Sequence, residues 1–385
     1  MPGNTMRADG NTPRHSREPG LYVHIPFCKT KCPYCAFYSV ESLSLIPRWL
    51  DAFEKEVIQS QHRFGTFDTL YLGGGTPSVL NMRDLERINE VLACHFTFAA
   101  DTEITIEVNP GDLTEEKARG LKSLGFNRVN LGVQSLDDRE LAFLGRRHTA
   151  GEAERALRNL RYAGFENIGI DLMYGIPGQS LKAWIETLTR TLGFQPEHIS
   201  CYQLTLEKGT VFWKMREQGL FRALGQERER EFFLATSSFL EDAGYIQYEI
   251  SNFARDPALG SRHNRKYWFH VPYLGLGPSA HSFGEGTRWW NLRSVIKYCE
   301  ALERGDLPVA GHERLTEEQI RLEAVSLGLR TNHGVELTHI TGGPEAEHTL
   351  RTLQDAGLIQ VSNGRLKATR QGFLVADRLP LCFFP

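Results

Sequence analysis

Short apolar runs alternate with longer amphipathic stretches from residue 20 to about residue 207. Such short runs are typical of buried strands, and here they are GLYVHI, TLYLGG, EITIEV, RVNLGV, NIGIDLMYG and HISCYQLTL. The stretches between them have helical periodicity, and three are followed by a glycine of the kind that commonly ends a helix, at Gly125, Gly164 and Gly193. This order predicts a series of βα units.

Six strands that are continuous enough to be covered on both faces favour an α/β fold with a parallel barrel or partial barrel. Polar residues and glycines cluster where these strands end, in GGGTP, EVNPG, GVQS and DLMYGIPG. In a parallel α/β barrel, the active site is built from the carboxyl ends of the strands. We therefore expect the functional site at that end of the barrel, within residues 20–207.

The rest of the chain divides into three further segments. Residues 1–19 mix proline, glycine, asparagine and charge without an apolar run, which predicts a disordered lead and not a secretion signal. Residues 208–310 read as a connecting region with helical and aromatic segments. Residues 311–385 predict a mostly helical domain that ends in a hairpin around Asn363 and Gly364, a winged-helix-like pattern.

Charge and hydropathy exclude two classes of function. The formal net charge is -3, without the excess of basic residues that nucleic-acid binding usually requires, so nucleic acid is not an expected partner. No window offers the roughly 18 consecutive apolar residues of a membrane helix. We expect a soluble, cytoplasmic protein.

Three of the seven cysteines, Cys28, Cys32 and Cys35, lie within the segment HIPFCKTKCPYCAFYS. A zinc site would need further ligands, and the sequence has no second cysteine pair to supply them. Iron–sulfur cubes are normally held by four thiolates. Three thiolates would leave one iron open, as a catalytic metal site requires, although a zinc loop or cysteines without a shared role are the alternatives.

The segment YVHIPFCKTKCPYC resembles the cluster loop of the radical S-adenosylmethionine (SAM) enzymes. The resemblance implies a [4Fe-4S] cluster on Cys28, Cys32 and Cys35, with the amino and carboxylate groups of SAM on the fourth iron. It also implies that electron transfer splits SAM into methionine and a 5'-deoxyadenosyl radical. The fold that it implies is a partial (β/α)6 barrel of the TIM type.

Five further segments, LYLGGGTPS, EITIEVNPGDL, RVNLGVQSLDDRELAFLGRRH, GIDLMYGIPGQS and GLYVHIPFC, narrow the resemblance. Together they are similar to the branch that contains the oxygen-independent coproporphyrinogen III oxidases and the HemW heme chaperones. The similarity covers nearly the whole chain from residue 20 and includes the C-terminal domain, which it implies to be of the HemN C-terminal type.

The same resemblance implies a set of SAM-binding residues at the strand ends. Gly74, Gly75 and Thr76, in the run that begins at Gly73, would contact the methionine part, and Tyr22 would lie near the sulfonium. The residues implied for the SAM amino acid and ribose are Glu107, Gln134, Arg146 and Asp171. A glycine turn, a core tyrosine and a structural network at the barrel rim are the alternative interpretations.

The segment SRHNRKYW separates the two functions of this branch. His263, Asn264, Tyr267 and Trp268 match the H-N-x-x-Y-W motif of the chaperones, in which the histidine is implicated in heme binding. Imidazole is a common axial ligand of heme iron, and aromatic residues can flank a flat macrocycle. A histidine packed among aromatic residues is the alternative, and His281 in GLGPSAHSF is a weaker candidate.

Two departures from the oxidases support the chaperone interpretation. Phe37 stands where the oxidases carry an additional cysteine, and 27 residues precede Cys28, fewer than in the longer N-terminal arm of the oxidases. We expect a heme carrier with an iron–sulfur cluster, SAM and heme as cofactors; the alternative is radical decarboxylation of coproporphyrinogen III. The expected partners are an acceptor apo-hemoprotein or membrane-bound heme enzyme, and an electron donor such as flavodoxin or ferredoxin.

Overall fold

The structure is a computed structural model that describes residues 17–340 and 343–384. Residues 1–16 of the predicted disordered lead therefore lie outside the described residues. Its last part is held against the barrel, because the carbonyl of Glu18 accepts a hydrogen bond from Lys266 Nζ at 2.7 Å and that of Pro19 accepts one from the Asp68 amide at 3.3 Å.

Six parallel strands form the centre of the sheet, in the order β1-β2-β3-β4-β5-β6. The strands are β1 (Gly20–Ile25), β2 (Phe67–Gly74), β3 (Phe98–Val108), β4 (Arg128–Gln134), β5 (Ile168–Tyr174) and β6 (His198–Gln203). The connecting helices are α1 (Ile46–Ser60), α2 (Met82–His95), α3 (Glu115–Ser123), α4 (Asp138–Phe143), α5 (Ala150–Tyr162) and α6 (Leu181–Leu192). These βα units confirm the predicted α/β partial barrel.

Helix ends within the barrel follow local sequence signals with one exception. Gly125 and Gly164 have φ values of 89° and 83°, so each takes the left-handed conformation that ends a helix without steric cost. Gly193 remains right-handed at φ -59°, and the left-handed residue after α6 is Gln195 at φ 49°. The chain therefore leaves the direction of α6 at Gln195, two residues later than the position of Gly193 predicts.

Residues beyond β6 extend the sheet at both edges. The added strands are β7 (Ile246–Glu249), β8 (Asn252–Ala254), β9 (Tyr273–Leu276), β10 (His281–Gly284), β11 (Thr287–Asn291) and β12 (Val309–Arg314). The β8 strand pairs antiparallel with β6, whereas β9 pairs parallel with β1 and continues through β10, β11 and β12. The helices of this region are α7 (Val211–Glu217), α8 (Gln226–Asp242), α9 (Arg262–Trp268) and α10 (Val295–Glu303).

The C-terminal domain has its own apolar core and a small three-stranded sheet. Its elements are α11 (Glu317–Gly328), β13 (Val335–Glu336), α12 (Pro344–Asp355), β14 (Ile359–Ser362), β15 (Arg365–Ala368) and α13 (Arg370–Phe373). The hairpin between β14 and β15 turns at Asn363 and Gly364, both at positive φ, as a tight two-residue turn requires. None of the described helices has the length and apolar character that crossing a bilayer requires.

The two faces of the central strands differ in chemistry. Alternate residues such as Leu21, Val23 and Ile25 point outward and join the main core under the helices. The residues between them point into the barrel, and most of these are polar or aromatic: Tyr22, His24, Thr69, Tyr71, Thr105, Glu107, Arg128, Asn130, Asp171, His198 and Ser200. Both faces of these strands are therefore covered, as expected, but the inner face is lined by polar groups.

Candidate functional site

The loop that carries the three cysteines is closed at its base by backbone hydrogen bonds. The Cys28 amide donates to the Val40 carbonyl at 3.0 Å, and the Val40 amide donates to the Pro26 carbonyl at 2.8 Å. All three cysteines are free; Cys28 is buried, while Cys32 and Cys35 are half-buried. The loop thus holds its thiols at the carboxyl end of β1, which we call the mouth of the barrel.

The three thiols influence one another electrostatically. Burial raises the pKa of the Cys35 thiol, and the neighbouring Cys32 and Cys28 thiols raise it further. In residues 17–340 and 343–384, no three His, Cys, Asp or Glu side chains converge closely enough to hold a single metal ion. A four-iron cluster is instead held by thiolates distributed over its irons, and three free thiols on one loop are a donor set that fits such a cluster.

Polar groups from two other segments of the barrel contact these thiols. Thr76 Oγ1 lies 3.3 Å from Cys28 Sγ, and Arg146 Nη1 donates to Cys32 Sγ at 3.4 Å. Arg146 also donates through Nη2 to the Gly132 carbonyl at 2.6 Å, while its Nε is buried without a hydrogen-bond partner among the described residues. The guanidinium therefore lies between β4 and the cysteine loop.

The glycine run at the end of β2 docks against the cysteine loop. Gly75 donates its amide to the Ile25 carbonyl at 2.9 Å, and Thr76 donates its own to the Phe27 carbonyl at 2.8 Å. A Cβ at Gly75 would lie 2.7 Å from the Phe27 carbonyl oxygen, closer than packing permits. Only glycine allows this approach, so the visible role of Gly75 is to seat the loop.

Glu107 and Asp171 lie together on the inner face of the barrel. Burial, assisted by Asp171, raises the pKa of Glu107 to about 7, and the Tyr71 hydroxyl donates to Glu107 Oε1 at 2.8 Å. Asp171 accepts from Asn130 Nδ2 at 2.9 Å and 3.0 Å, and burial raises its pKa as well. Two buried carboxyl groups with raised pKa values can accept hydrogen bonds from a ligand.

Electrostatic interactions connect other SAM candidates with these two carboxyl groups. Electrostatic interactions link Tyr22 to Glu107, and Arg146 to Asp171, so these four side chains share one region. The Tyr22 hydroxyl lies 3.0 Å from His24 Nδ1. Gln134, at the end of β4 beside a register shift, is in the left-handed conformation at φ 69°, which redirects the chain at the mouth.

His263 lies at the opposite end of the barrel, which we call the base. The α9 helix covers this end, and His263 is 1% exposed. Its Nδ1 lies 2.8 Å from Thr69 Oγ1 and its Nε2 lies 2.9 Å from the Tyr267 hydroxyl, so both ring nitrogens are occupied. The ring also stacks on Tyr71 with centroids 5.2 Å apart. An iron could reach His263 only after one of these hydrogen bonds had opened.

His281, the weaker heme candidate, is the first residue of β10 and is exposed at the rim of the mouth. Its ring stacks on Trp290 with centroids 6.0 Å apart and an interplanar angle of 29°. His281 also acts electrostatically on His24, whose Nε2 lies 2.9 Å from the Tyr38 carbonyl of the cysteine loop. The rim histidine is therefore close to the predicted cluster site.

Several inner-face residues are missing from the sequence prediction. Tyr71 and Asn130 hold the two carboxyl groups, and Arg128 is 1% exposed with no hydrogen bond to its guanidinium among the described residues. A signal was present, because polar residues occupy every second position of TLYLGG, EITIEV and RVNLGV. A period of two places those residues on one face of each strand.

Comparisons with known proteins agree with this geometry. The model of the radical SAM superfamily matches residues 22–190, and that of the HemN C-terminal domain matches residues 315–375. The solved structure of coproporphyrinogen III oxidase (HemN) from Escherichia coli, described as a radical SAM enzyme, has a TM-score of 0.82 and 24% identity, with 96% of this chain and 91% of that chain covered. The barrel and its cysteine loop thus define a protein of the radical SAM class.

Similar sequences define the particular family. The heme chaperone HemW of Bacillus subtilis strain 168 is 36% identical over 93% of this chain and 97% of its own length, and that of Synechocystis is 36% identical over 90% and 87%. The mitochondrial radical S-adenosyl methionine domain-containing protein 1 of Mus musculus is 32% identical over 96% and 88%. The chain belongs to the HemW family. Membership of the radical SAM superfamily implies a [4Fe-4S] cluster and SAM as cofactors.

Proposed function

We propose that the protein binds heme and transfers it to an acceptor hemoprotein, with a [4Fe-4S] cluster and SAM at the mouth of the barrel. The observation that carries the proposal is the mouth itself, where three free thiols, an arginine and two buried carboxyl groups meet in a chain whose relatives are named heme chaperones.

Cys28, Cys32 and Cys35 would hold the cluster, with Thr76 and Arg146 against two of the sulfurs. Glu107 and Asp171 would accept hydrogen bonds from the amino and ribose groups of SAM, and Arg146 would pair with its carboxylate through the nitrogen that is otherwise unpartnered. Tyr22 and Gln134 would complete the wall beside SAM, and Gly74 and Gly75 its methionine end. A bound cluster supplies an electron to SAM, and the source of that electron would be a flavodoxin or ferredoxin.

Heme ligation by His263 would require that one of its two hydrogen bonds opens first. Nε2 becomes available when the Tyr267 hydroxyl leaves it, whereas Nδ1 faces the β2 strand through Thr69. Heme binding at this residue would therefore require displacement of Tyr267 and an opening of α9 from the base. Such a step predicts slow heme uptake at His263, because local opening of a packed helix precedes it.

The decarboxylase alternative shares this fold, so function must be tested by chemistry. Reconstituted protein is incubated without oxygen with SAM, reductant and coproporphyrinogen III, and a second sample is titrated with heme and mixed with an apo-globin as acceptor. We expect heme binding and transfer without protoporphyrinogen. Protoporphyrinogen formation without heme binding would overturn the carrier proposal and establish the decarboxylase.

A further inference from the structure

The imidazole of His281 lies at the start of β10 in the extended sheet. His281 is exposed, and neither of its ring nitrogens makes a hydrogen bond within the part of the chain that the structure describes. Partial burial lowers its pKa, and Arg288 lowers it further, which favours the neutral imidazole that can ligate a metal. His263 differs from it in both respects, since that ring is enclosed and both nitrogens are bonded.

The ring of Trp290 holds the plane of this imidazole. His281 and Trp290 are directly opposite each other on β10 and β11, which places both side chains on one face of the sheet. Trp290 in turn packs on Gly311 of β12, where a Cβ would lie 2.7 Å from its Cζ2 atom. The glycine leaves space for the indole, and the indole therefore presents a fixed aromatic surface beside the ligand atom.

Arg293 connects this part of the sheet with the cysteine loop, and Phe37 follows the residue that it contacts there. Arg293 is exposed and donates to the Ala36 carbonyl at 3.2 Å, and both Arg293 and His281 act electrostatically on His24. The residue after Ala36 is Phe37, whose side chain is 68% exposed, an unusual position for a phenylalanine. We call His281, Trp290, Arg293 and Phe37 the rim patch.

An iron porphyrin needs the three kinds of group that the rim patch provides. Its iron takes an axial imidazole, its macrocycle packs on aromatic rings, and its propionates pair with a guanidinium. We propose that heme docks on the folded protein at the rim patch, with His281 as axial ligand, Trp290 and Phe37 against the macrocycle and Arg293 on a propionate. This inference rests on the proposed heme-carrier function and adds the place where heme first binds.

The test is a heme titration followed by absorbance and by electron paramagnetic resonance, on the wild type and on His281→Ala. We expect a rise of about tenfold or more in the Kd for heme, together with loss of the imidazole-ligated spectrum of the rapidly formed complex, which precedes the slow uptake at His263. Free imidazole, added in excess, should restore that spectrum in His281→Ala, because it fills the vacated axial position. A purely structural role of His281 would give no such rescue.

Control variants separate the possible outcomes. His348→Ala removes an exposed histidine of α12, far from the rim patch in sequence and domain, and should leave the titration unchanged. Arg293→Gln should weaken binding while the imidazole-ligated spectrum remains. Heme binding by His281→Ala with wild-type affinity and spectrum would overturn the rim patch and leave the carrier function standing, whereas no binding by the wild type would overturn the carrier function itself.

Discussion

The mouth and the base of the barrel differ in how many of their polar side chains have hydrogen-bond partners. At the mouth, the thiols of the cysteine loop are free, and Arg146 has a buried Nε without a partner among the described residues. At the base, both nitrogens of His263 are bonded, and Glu103 accepts the backbone amides of Arg262 and His263 at 3.1 Å each. Groups with unused bonding capacity indicate a ligand, while groups that satisfy one another indicate scaffold.

This contrast changes the interpretation of the H-N-x-x-Y-W segment. In the structure, the segment forms α9 and closes the base, with His263 under the rings of Tyr22 and Tyr71. Tyr71 is also the residue that donates to Glu107. The motif therefore packs beneath the side chains of the proposed SAM site.

The largest expected effect is on cluster binding by the cysteines at the mouth. Replacing Cys28, Cys32 and Cys35 together with alanine should abolish cluster binding, because no thiolate would remain on the loop. Iron content and visible absorbance after anaerobic reconstitution provide the measurement. Cys94→Ala, which removes an exposed cysteine of α2, is the matched control. Full cluster iron in the triple variant would show that the assignment of the ligands is wrong.

A smaller but still large effect is expected at the base. Asp68 is buried and lies 2.5 Å from Lys266 Nζ and 3.1 Å from Arg262 Nη2. Its replacement by alanine would leave the buried Lys266 ammonium without its carboxylate, so we expect a loss of about 3–5 kcal/mol in the free energy of unfolding. Urea denaturation measures this quantity.

Asp101 offers a control with the same partner. It pairs with Arg262 at 3.3 Å but its side chain is 81% exposed, so Asp101→Ala should cost about 1 kcal/mol or less. Equal losses for Asp68→Ala and Asp101→Ala would contradict the view of the base as a buried, self-satisfied network.

The smallest effect concerns the pH dependence of stability at the mouth. Because burial raises the pKa of Glu107 to about 7, the folded protein without ligands binds this proton more tightly than the unfolded chain does. The free energy of unfolding should therefore fall as the pH rises from about 4.5 to 7, by roughly 1–3 kcal/mol from this group. Glu107→Gln should flatten the slope, measured by urea denaturation at several pH values.

Glu56 provides the comparison for that measurement. Burial also raises its pKa to about 7, but its carboxylate is held by Tyr298, Asn291 and the Gly277 amide, away from the SAM candidates. Glu56→Gln should flatten the stability profile in the same way without weakening SAM binding, whereas Glu107→Gln should do both. An unchanged affinity for SAM in Glu107→Gln would remove Glu107 from the proposed SAM site.

Much of the architecture could be read from local patterns. The six βα units, the cysteine loop and the turn at Asn363 and Gly364 all have signals within a few residues of one another. The short strands β9, β10 and β11 lack such signals: each has four or five residues, and β9 pairs with β1, which is about 250 residues earlier in the chain. Their pairing was not predictable from local periodicity.

Local sequence specifies the chemistry available to this protein: three thiols on one loop, a glycine run that admits close backbone contact, and polar residues that alternate with apolar ones along the barrel strands. These features are local, because they depend on spacing and on steric limits within one segment. The enclosure of His263 at the base and the stacking of His281 on Trp290 at the rim depend on the tertiary fold. Those placements depend on contacts between distant segments, whose free energy comes from burial and strand pairing that no single segment contains.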